Sequence, residues 1–177
     1  MFLYLYFVLL LPVYESSRAV NEYLLFHFGS PSDLFPYKGE FGGPQEALNF
    51  PKRTADIVSS LPCTKGRVLD VGCAVGGSSF EFTKHFDEVI GIDFSQHFID
   101  AANNLKVNKT ANYDIQKQGK IFVPRQATLP SNIDTSKITF QQGDACNLDA
   151  NLGAFDVIHA SNLLCRLPQP RKFIDDI

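Results

Sequence analysis

The sequence predicts an α/β fold, in which a parallel β-sheet carries helices on both faces. Three observations predict it: a length of 177 residues, which suits one domain, an alternation of short apolar segments with segments of helical periodicity, and little polar alternation inside the apolar segments. Strands that alternate with helices are joined by right-handed crossovers, and strands covered on both faces are apolar throughout. The predicted strands are 67–71, 88–93, 137–142 and 155–160.

Helical periodicity predicts four helices, which cover residues 14–29, 45–61, 78–86 and 95–105. Ser16 or Ser17 can cap the first helix, Ser95 can cap the last, and Pro51 is expected to break or kink the second. Residues 30–43 are rich in Pro, Gly and aromatic side chains, which predicts an irregular loop. Residues 106–136 are expected to form an unusually long connection, of a kind that is often functional.

Composition narrows the range of partners. The formal net charge is −3 and the sequence has no cluster of Lys or Arg, so a nucleic-acid partner is not expected. The four cysteines are widely spaced and form no CxxC pair, which predicts neither a metal site nor a disulfide framework. Free thiols suit a reducing compartment, and we expect a cytoplasmic location. Small molecules or another domain are the expected partners.

Residues 68–79 (VLDVGCAVGGSS) are the segment most informative about function. Asp70 lies at the end of the first predicted strand, and Gly72, Ala74 and Gly76 line the turn that follows. Small residues allow a sharp turn and a close approach of the backbone to a ligand at a helix N-terminus. Such a turn alone is a weak signal, because the spacing from Gly72 to Gly77 also resembles a dinucleotide fingerprint.

Three carboxylates favour S-adenosylmethionine over a dinucleotide. Asp70 would repel a pyrophosphate but suits the cationic methionine end of a phosphate-free nucleoside. Asp93 ends the second strand, where a carboxylate can accept both ribose hydroxyls. Asp144 and Ala145 follow the third strand and are expected to contact the adenine. The alternative for each Asp is a cap on the next helix or turn, but all three together predict one crevice at the carboxyl edge of the sheet.

Three more residues complete the predicted cofactor site. Cys73 belongs to the turn, Phe94 follows Asp93, and Asn162 follows the fourth strand. In a methyltransferase the end of that strand lies beside the transferring methyl group, so Asn162 is also a candidate catalytic residue. Its alternative role is the N-cap of the segment that leads to Pro168.

The N-terminal part of the chain supplies candidates for substrate binding. Tyr23 and Tyr37, with the aromatic residues around them and His27, could form a lid that stacks on a planar acceptor. The alternative for these aromatic side chains is cover for the sheet. Arg53 could meet a carboxylate of the cofactor or substrate, or could be a solvated helix residue.

Several segments together narrow the prediction to one family. They are 22–29 (EYLLFHFG), 46–51 (EALNFP), 69–76 (LDVGCAVG), 79–81 (SFE), 86–102, 140–148 (FQQGDACNL) and 160–168 (ASNLLCRLP). This set resembles the C-terminal S-adenosylmethionine-dependent methyltransferase domain of the ovothiol-biosynthesis enzyme. Segment 69–76 is common to many methyltransferases, whereas 22–29, 46–51 and 162–168 together are much narrower.

The resemblance implies a fold, a reaction and a partner. The fold would be the Rossmann-like class I methyltransferase fold, whose full sheet has seven strands. Only four are predicted here, so the C-terminal strands are expected to be missing. The reaction would be methylation of an imidazole ring nitrogen in a mercaptohistidine, so a thiohistidine is the expected acceptor. A non-haem iron domain would precede the methyltransferase domain in the full-length protein.

These expectations give a division of the chain. Residues 1–13 are an apolar run that is too short to span a bilayer and lacks the flanks of a signal peptide. We interpret this run as not native to the domain. Residues 14–66 would hold the N-terminal helices and the aromatic loop, and 67–177 the incomplete Rossmann-like core. Two alternatives stay open: an NAD-type oxidoreductase domain, and a non-catalytic fragment that binds S-adenosylmethionine.

Imidazole chemistry also predicts a simple mechanism. The unperturbed pKa of imidazole is about 6.5, so most of it is neutral at pH 7 and its lone pair can attack without a strong base. Catalysis would then consist mainly of positioning and electrostatics. The sequence shows no convincing general base, in keeping with this expectation.

Overall fold

A computed structural model describes residues 14–35 and 48–177 of the chain. It contains six strands and six α-helices in these ranges. The strands are β1 (Arg67–Val71), β2 (Glu88–Asp93), β3 (Thr110–Gln118), β4 (Ile121–Thr128), β5 (Ile138–Gln142) and β6 (Val157–His159). The helices are α1 (Ser17–Phe28), α2 (Pro31–Leu34), α3 (Phe50–Ser59), α4 (Gly77–Phe82), α5 (Gln96–Asn108) and α6 (Pro170–Asp176). The apolar run 1–13 and the candidate Tyr37 lie outside the described residues.

The central sheet has four parallel strands in the order β5-β2-β1-β6. All four predicted strands are therefore present, although β6 is shorter than expected at both ends. Strand β1 lies between β2 and β6, and Asp70 is in register with Gly91 on one side and His159 on the other. Because the strands are parallel, the loops after β1, β2, β5 and β6 all meet at one edge of the sheet.

Two apolar cores, one on each face of the sheet, confirm the predicted layer structure. The larger contains Val68 and Val89 from the sheet together with Phe80 of α4 and Phe98 of α5. The smaller contains Leu69, Val71, Ile90, Ile92 and Ala145, covered by Phe173 of α6. Neighbouring residues of β1 thus point into opposite cores, as the pleat of a strand requires. Within the described ranges, no helix is both long enough and apolar enough to cross a membrane.

The expectation of a long connection at 106–136 is wrong. Helix α5 continues to Asn108, and strands β3 and β4 then form an antiparallel hairpin outside the central sheet. Alternate residues Ala111, Tyr113 and Ile115 are buried, and the side chains between them are exposed. The hairpin packs against α1 and α5, which supply the apolar cover that a lone hairpin lacks.

Three helix predictions need correction at their boundaries. Helix α3 begins at Phe50 and has Pro51 in its first turn, so Pro51 starts this helix and does not kink it. A first-turn proline loses no hydrogen bond, because the N–H groups there have no helical partner. Helix α4 ends at Phe82, four residues before the predicted end, and α2 forms inside the predicted irregular loop. Ser16 caps α1 and Ser95 caps α5, as predicted.

Candidate functional site

The turn after β1 has the backbone conformation that its small residues predict. Gly72, Ala74 and Gly76 have φ angles of 76°, 49° and 86°, in the left-handed region. The N–H groups of Gly72 and Cys73 donate to the carbonyl oxygen of Ile92, at 2.8 and 3.0 Å, which fixes the turn against β2. A Cβ atom at Gly76 would lie 2.6 Å from Cζ of Phe140, so this position needs glycine for packing as well as for conformation.

Asp93 joins the three loops that follow β1, β2 and β5. One carboxylate oxygen accepts from the N–H of Ala74 and the other from the N–H of Ser95, both at 2.9 Å. Its carbonyl oxygen accepts from the N–H of Gly143 at 3.0 Å. An ionised carboxylate can accept about four hydrogen bonds, so Asp93 retains acceptor capacity for a ribose diol. Burial raises its pKa to about 6, although the bonds from Ser95 and Ala74 act in the opposite direction.

Asp70 lies within β1, not at its end, and only 2% of its surface is exposed. One carboxylate oxygen accepts from the hydroxyl of Ser79, and the other lies 2.7 Å from Nδ1 of His159. Nε2 of His159 is buried and has no hydrogen-bond partner among the residues that the structure describes. Sequence reasoning missed both Ser79 and His159. The available signal for His159 was a polar residue in an otherwise apolar strand, whereas Ser79 lies on α4 and gave no such signal. The contact of Asp70 with the methionine end stays a prediction.

Asp144 and Ala145 occupy the loop after β5, as predicted. The Asp144 side chain is exposed and accepts from the N–H of Cys146 at 2.8 Å, which caps the short 3₁₀ helix Ala145–Asn147. Asp93 makes a similar local bond to Ser95, so the capping role that sequence analysis weighed for these carboxylates is present. It does not exclude ligand binding, because each carboxylate retains acceptor sites. Phe94 is 45% exposed beside Asp93.

The loop after β6 reaches back to the glycine-rich turn. Asn162 is exposed and has a φ angle of 55°, which turns the chain so that Leu163 lies against Gly72. A Cβ atom at Gly72 would be 3.0 Å from Cδ1 of Leu163. Leu163, and not Asn162, occupies the N-cap position of the 3₁₀ helix Leu164–Arg166, so the alternative role of Asn162 as that cap is wrong.

Helix α1 and the residues just before it bring two tyrosines, Tyr23 and Tyr14, to the same edge of the sheet. The carbonyl oxygen of Tyr14 accepts from the Ser95 hydroxyl at 3.1 Å, and the Tyr14 hydroxyl accepts from Nη1 of Arg166 at 2.9 Å. The ring of Tyr23 packs 4.6 Å from that of Phe98, centroid to centroid, and 6.3 Å from that of Tyr14. Burial raises the pKa of Tyr23, and the charges of Tyr14 and Asp93 raise it further, whereas Arg166 opposes the shift.

His27 and Arg53 have different surroundings. Nδ1 of His27 accepts from the N–H of Gly77, the first residue of α4, at 3.0 Å, and burial lowers the pKa of this histidine to about 4. A neutral His27 is thus part of the contact between α1 and α4. Arg53 is exposed on α3 and makes no side-chain hydrogen bond or ion pair within 14–35 and 48–177. Its role in binding a carboxylate stays a prediction.

The arrangement fits S-adenosylmethionine better than a dinucleotide. A dinucleotide site offers the first N–H groups of the helix after the glycine-rich turn to a pyrophosphate. Here the first N–H of α4 is already bound to His27. Asp93 at the end of β2 retains acceptor capacity for a ribose. Asp93 and the glycine-rich turn would hold the nucleoside and its methionine chain, with Asp144 and Ala145 near the base. Among the described residues, no group of His, Cys, Asp or Glu could hold a metal ion.

The fold and the site together define an S-adenosylmethionine-dependent methyltransferase with class I architecture. Comparison with known proteins agrees with this class. A family model described as "Methyltransferase domain" matches residues 45–177, which is about three quarters of the chain. The chain therefore belongs to this methyltransferase family, whose cofactor is S-adenosylmethionine.

Individual relatives show the fold and a shorter stretch of sequence similarity. Phosphoethanolamine N-methyltransferase 3 of Arabidopsis thaliana is 36% identical over 73 residues, which are 40% of this chain and 15% of that protein. The N-terminal domain of EvdMO1, solved with S-adenosylhomocysteine bound, has a TM-score of 0.52 and 16% identity over 78% of this chain and 48% of its own. The methyltransferase domain of bacterial CtHen1-CN has a TM-score of 0.50 and 17% identity over 72% of this chain and 57% of its own. The chain thus spans only part of each relative.

Proposed function

We propose that this domain transfers the methyl group of S-adenosylmethionine to a ring nitrogen of an imidazole in a small thiohistidine. Segments 22–29, 46–51 and 160–168, which resemble the ovothiol-biosynthesis enzyme, support the choice of acceptor. Two of these segments lie at the site: the first is the end of α1 that carries Tyr23, and the last is the loop that carries Asn162. The same resemblance implies an upstream non-haem iron domain, which would supply the thiohistidine.

The observation that carries the proposal is that Asp70 and Asp93 are hydrogen-bonded within the protein, while the acceptor capacity left on Asp93 is assigned to the ribose. Asp70 is held by Ser79 and His159, and Asp93 by two backbone N–H groups. This arrangement suits an acceptor whose nitrogen is neutral near pH 7, because such a nitrogen needs no base. An alkylammonium acceptor must first lose a proton at pH 7, since amines of the lysine type have a pKa of about 10.4. Imidazole, with a pKa of about 6.5, is the acceptor that this site favours.

The residues of this chain would act through position and electrostatics. The bound cofactor supplies a methyl group on a sulfonium, and its transfer forms one N–C bond while one C–S bond breaks. The turn from Gly72 to Gly76 and Asp93 would hold the cofactor, and Asn162 would orient the acceptor ring from the loop after β6. The half-buried Tyr23 would pack beside the acceptor and exclude water. The ring proton of the methylated imidazolium would leave to solvent, so no residue need act as a base.

A methyl-transfer assay with radiolabelled S-adenosylmethionine tests the proposal. Acceptors should include a thiohistidine, histidine and phosphoethanolamine, with product position determined by mass spectrometry and NMR. We expect methylation of the imidazole nitrogen, at a kcat/KM that rises as the acceptor ring loses its proton and then stays level. Asp93→Asn should weaken cofactor binding, whereas Arg171→Gln on the exposed face of α6 should leave it unchanged.

Two other results would contradict the proposed acceptor. Methylation of phosphoethanolamine without methylation of any imidazole would assign the amine acceptor named in the Arabidopsis relative. Binding of S-adenosylmethionine with no transfer to any acceptor would make this chain a binding fragment. Binding of NAD in place of S-adenosylmethionine, measured by thermal shift, would refute the cofactor as well.

A further inference from the structure

Arg166 is a cation with unused hydrogen-bonding capacity at the edge of the crevice. A guanidinium has five N–H donors, and one of them, on Nη1, donates to the Tyr14 hydroxyl at 2.9 Å. No carboxylate in the described part of the chain pairs with Arg166, whereas Arg18, Arg67, Arg125 and Arg171 all have acidic partners. Arg166 is thus an arginine whose planar fork is available to an anion from outside the protein.

The position of Arg166 is set from two sides of the crevice. It closes the loop after β6, four residues beyond Asn162. Its partner Tyr14 is fixed on the other side by two hydrogen bonds to the start of α5. The Ser95 hydroxyl donates to the carbonyl oxygen of Tyr14, and the side chain of the neighbouring Glu15 accepts from the N–H of Gln96 at 3.0 Å. The bond from Arg166 to Tyr14 thus joins the segments that follow β6 and β2, the two strands that flank β1 in the sheet.

The side chains beside Arg166 are hydrogen-bond donors. The Tyr14 hydroxyl accepts from Arg166 and so keeps its own proton to donate, and the half-buried Tyr23 lies next to it. Tyr23 is held by its contact with Phe98. Tyr23 is hydrogen-bonded to Tyr14 through its side chain, so it supports Tyr14. The guanidinium and the Tyr14 hydroxyl together form a site for a planar anion, since a carboxylate can accept two parallel bonds from an arginine fork and a third from a hydroxyl.

From this geometry we propose that Arg166 and Tyr14, supported by Tyr23, form a subsite for the α-carboxylate of the acceptor. The inference rests on the proposed function and narrows it: the acceptor is a free amino acid of the thiohistidine type, and not an imidazole amine. The loop after β6 then contacts both ends of the acceptor. Asn162 lies near the ring and Arg166 near the carboxylate, one turn of 3₁₀ helix apart.

The test compares two acceptors that differ only in the carboxylate. One is a thiohistidine, and the other is the corresponding thiol-substituted imidazole ethylamine. Their dissociation constants are measured by calorimetry on protein saturated with S-adenosylhomocysteine, for wild type, Arg166→Gln, Arg166→Lys and Tyr14→Phe. Arg171→Gln on α6 is the matched control, because it removes the same charge from an exposed arginine whose partner is Asp175.

We expect Arg166→Gln to weaken binding of the amino acid about 10- to 100-fold, the usual size of a charge-assisted pair. Arg166→Lys should restore part of the loss, because it keeps the charge but not the fork. Tyr14→Phe should cost about 3- to 10-fold. The decarboxylated acceptor should bind all variants equally, and the affinity for S-adenosylhomocysteine should change less than about twofold.

Each other outcome overturns the subsite in a different way. If Arg166→Gln weakens S-adenosylhomocysteine by the full factor, Arg166 binds the carboxylate of the cofactor. If both acceptors weaken equally, Arg166 has a structural role only. If phosphoethanolamine shows the loss and thiohistidine does not, the anion is a phosphate. If S-adenosylhomocysteine binds but neither imidazole acceptor does, both the proposed function and the subsite are refuted. If the wild type binds the two imidazole acceptors with equal affinity, only the subsite is refuted.

Discussion

Acid should weaken cofactor binding through one carboxylate, Asp93. Its environment raises its pKa to about 6, mainly because it is buried. The ionised form offers four acceptor positions, two of which are used by the N–H groups of Ala74 and Ser95. The protonated form gives up acceptor capacity that the ribose hydroxyls need. We therefore expect the affinity for S-adenosylhomocysteine to fall as the pH falls through about 6.

The size of the effect follows from the pKa. With a pKa of about 6, Asp93 is about 90% ionised at pH 7 and about 10% ionised at pH 5, so the dissociation constant should rise about tenfold between them. That corresponds to about 1.4 kcal/mol of binding free energy. Between about pH 8 and pH 7 the constant should change by less than about 20%. Calorimetric titrations at fixed ionic strength measure the curve directly.

Stability of the ligand-free protein should respond to Asp93 with the opposite sign. Because folding raises its pKa, the folded state holds this proton more tightly than the unfolded state does. The stabilising contribution is fully present below the unfolded pKa of about 3.9 and is lost as the pH rises through about 6. Ionised Asp93 thus costs folding free energy at neutral pH, and the ribose contacts recover part of it when the cofactor binds.

Two variants separate Asp93 from other groups. Asp144→Asn changes an exposed carboxylate of the same crevice and should leave the pH dependence of binding intact. Asp93→Asn should bind weakly and without a step near pH 6. A dissociation constant that stays level from about pH 8 to pH 5 in the wild type, or the wild-type curve persisting in Asp93→Asn, would refute the reasoning.

Three further predictions concern stability. His27→Gln should remove an acid-sensitive step, because the folded pKa of His27, about 4, lies below the unfolded value of about 6.5. Relative to the variant, the wild type should lose about 1.6 kcal/mol between pH 6.5 and pH 5 in urea titrations, and an unchanged difference between the two would exclude His27 as the cause. Gly76→Ala should lower the free energy of unfolding by about 2 to 5 kcal/mol, because the position has a positive φ and an added Cβ would clash with a phenyl ring. Gly119→Ala, which has a positive φ in open space, should lower it by only about 1 to 2 kcal/mol. Similar losses in the two variants would show that packing does not contribute. Arg67→Gln should lower the melting temperature more than Arg18→Gln in a thermal scan. The reason is that Arg67 also donates to two carbonyl oxygens and stacks on a phenyl ring, whereas Arg18 has only an exposed ion pair along its helix. Equal shifts in melting temperature would contradict this.

The sequence predicted the elements whose signals are local. Strands β1, β2 and β5 are apolar runs that end in turn residues, and the caps Ser16 and Ser95 stand directly before helical periodicity. The β3–β4 hairpin was missed although Ala111, Tyr113 and Ile115 alternate with polar residues. Asn and Asp occupy the intervening positions and Gln and Lys the end of the strand, and only the packing of α1 and α5 on the hairpin makes its inner face a core.

The candidate site divides in the same way. The glycine-rich turn and Asp93 follow from short motifs, and the structure brings them together at one edge of the sheet. The pairing of His159 with Asp70 joins residues 89 apart in sequence, and that of Arg166 with Tyr14 joins residues 152 apart. Such pairs depend on strand order and register, which no local pattern contains.

The bond between Arg166 and Tyr14 has a consequence for how the protein is made. Translation proceeds from the N-terminus, so Tyr14 leaves the ribosome long before its partner exists. At about 5 to 20 residues per second, roughly 10 to 30 seconds separate the two. During that interval no guanidinium holds Tyr14 at the start of the described chain segment. Nascent chains arrested before residue 166 should therefore leave the Tyr14 side chain open to proteases that cut after aromatic residues, and released chains should protect it.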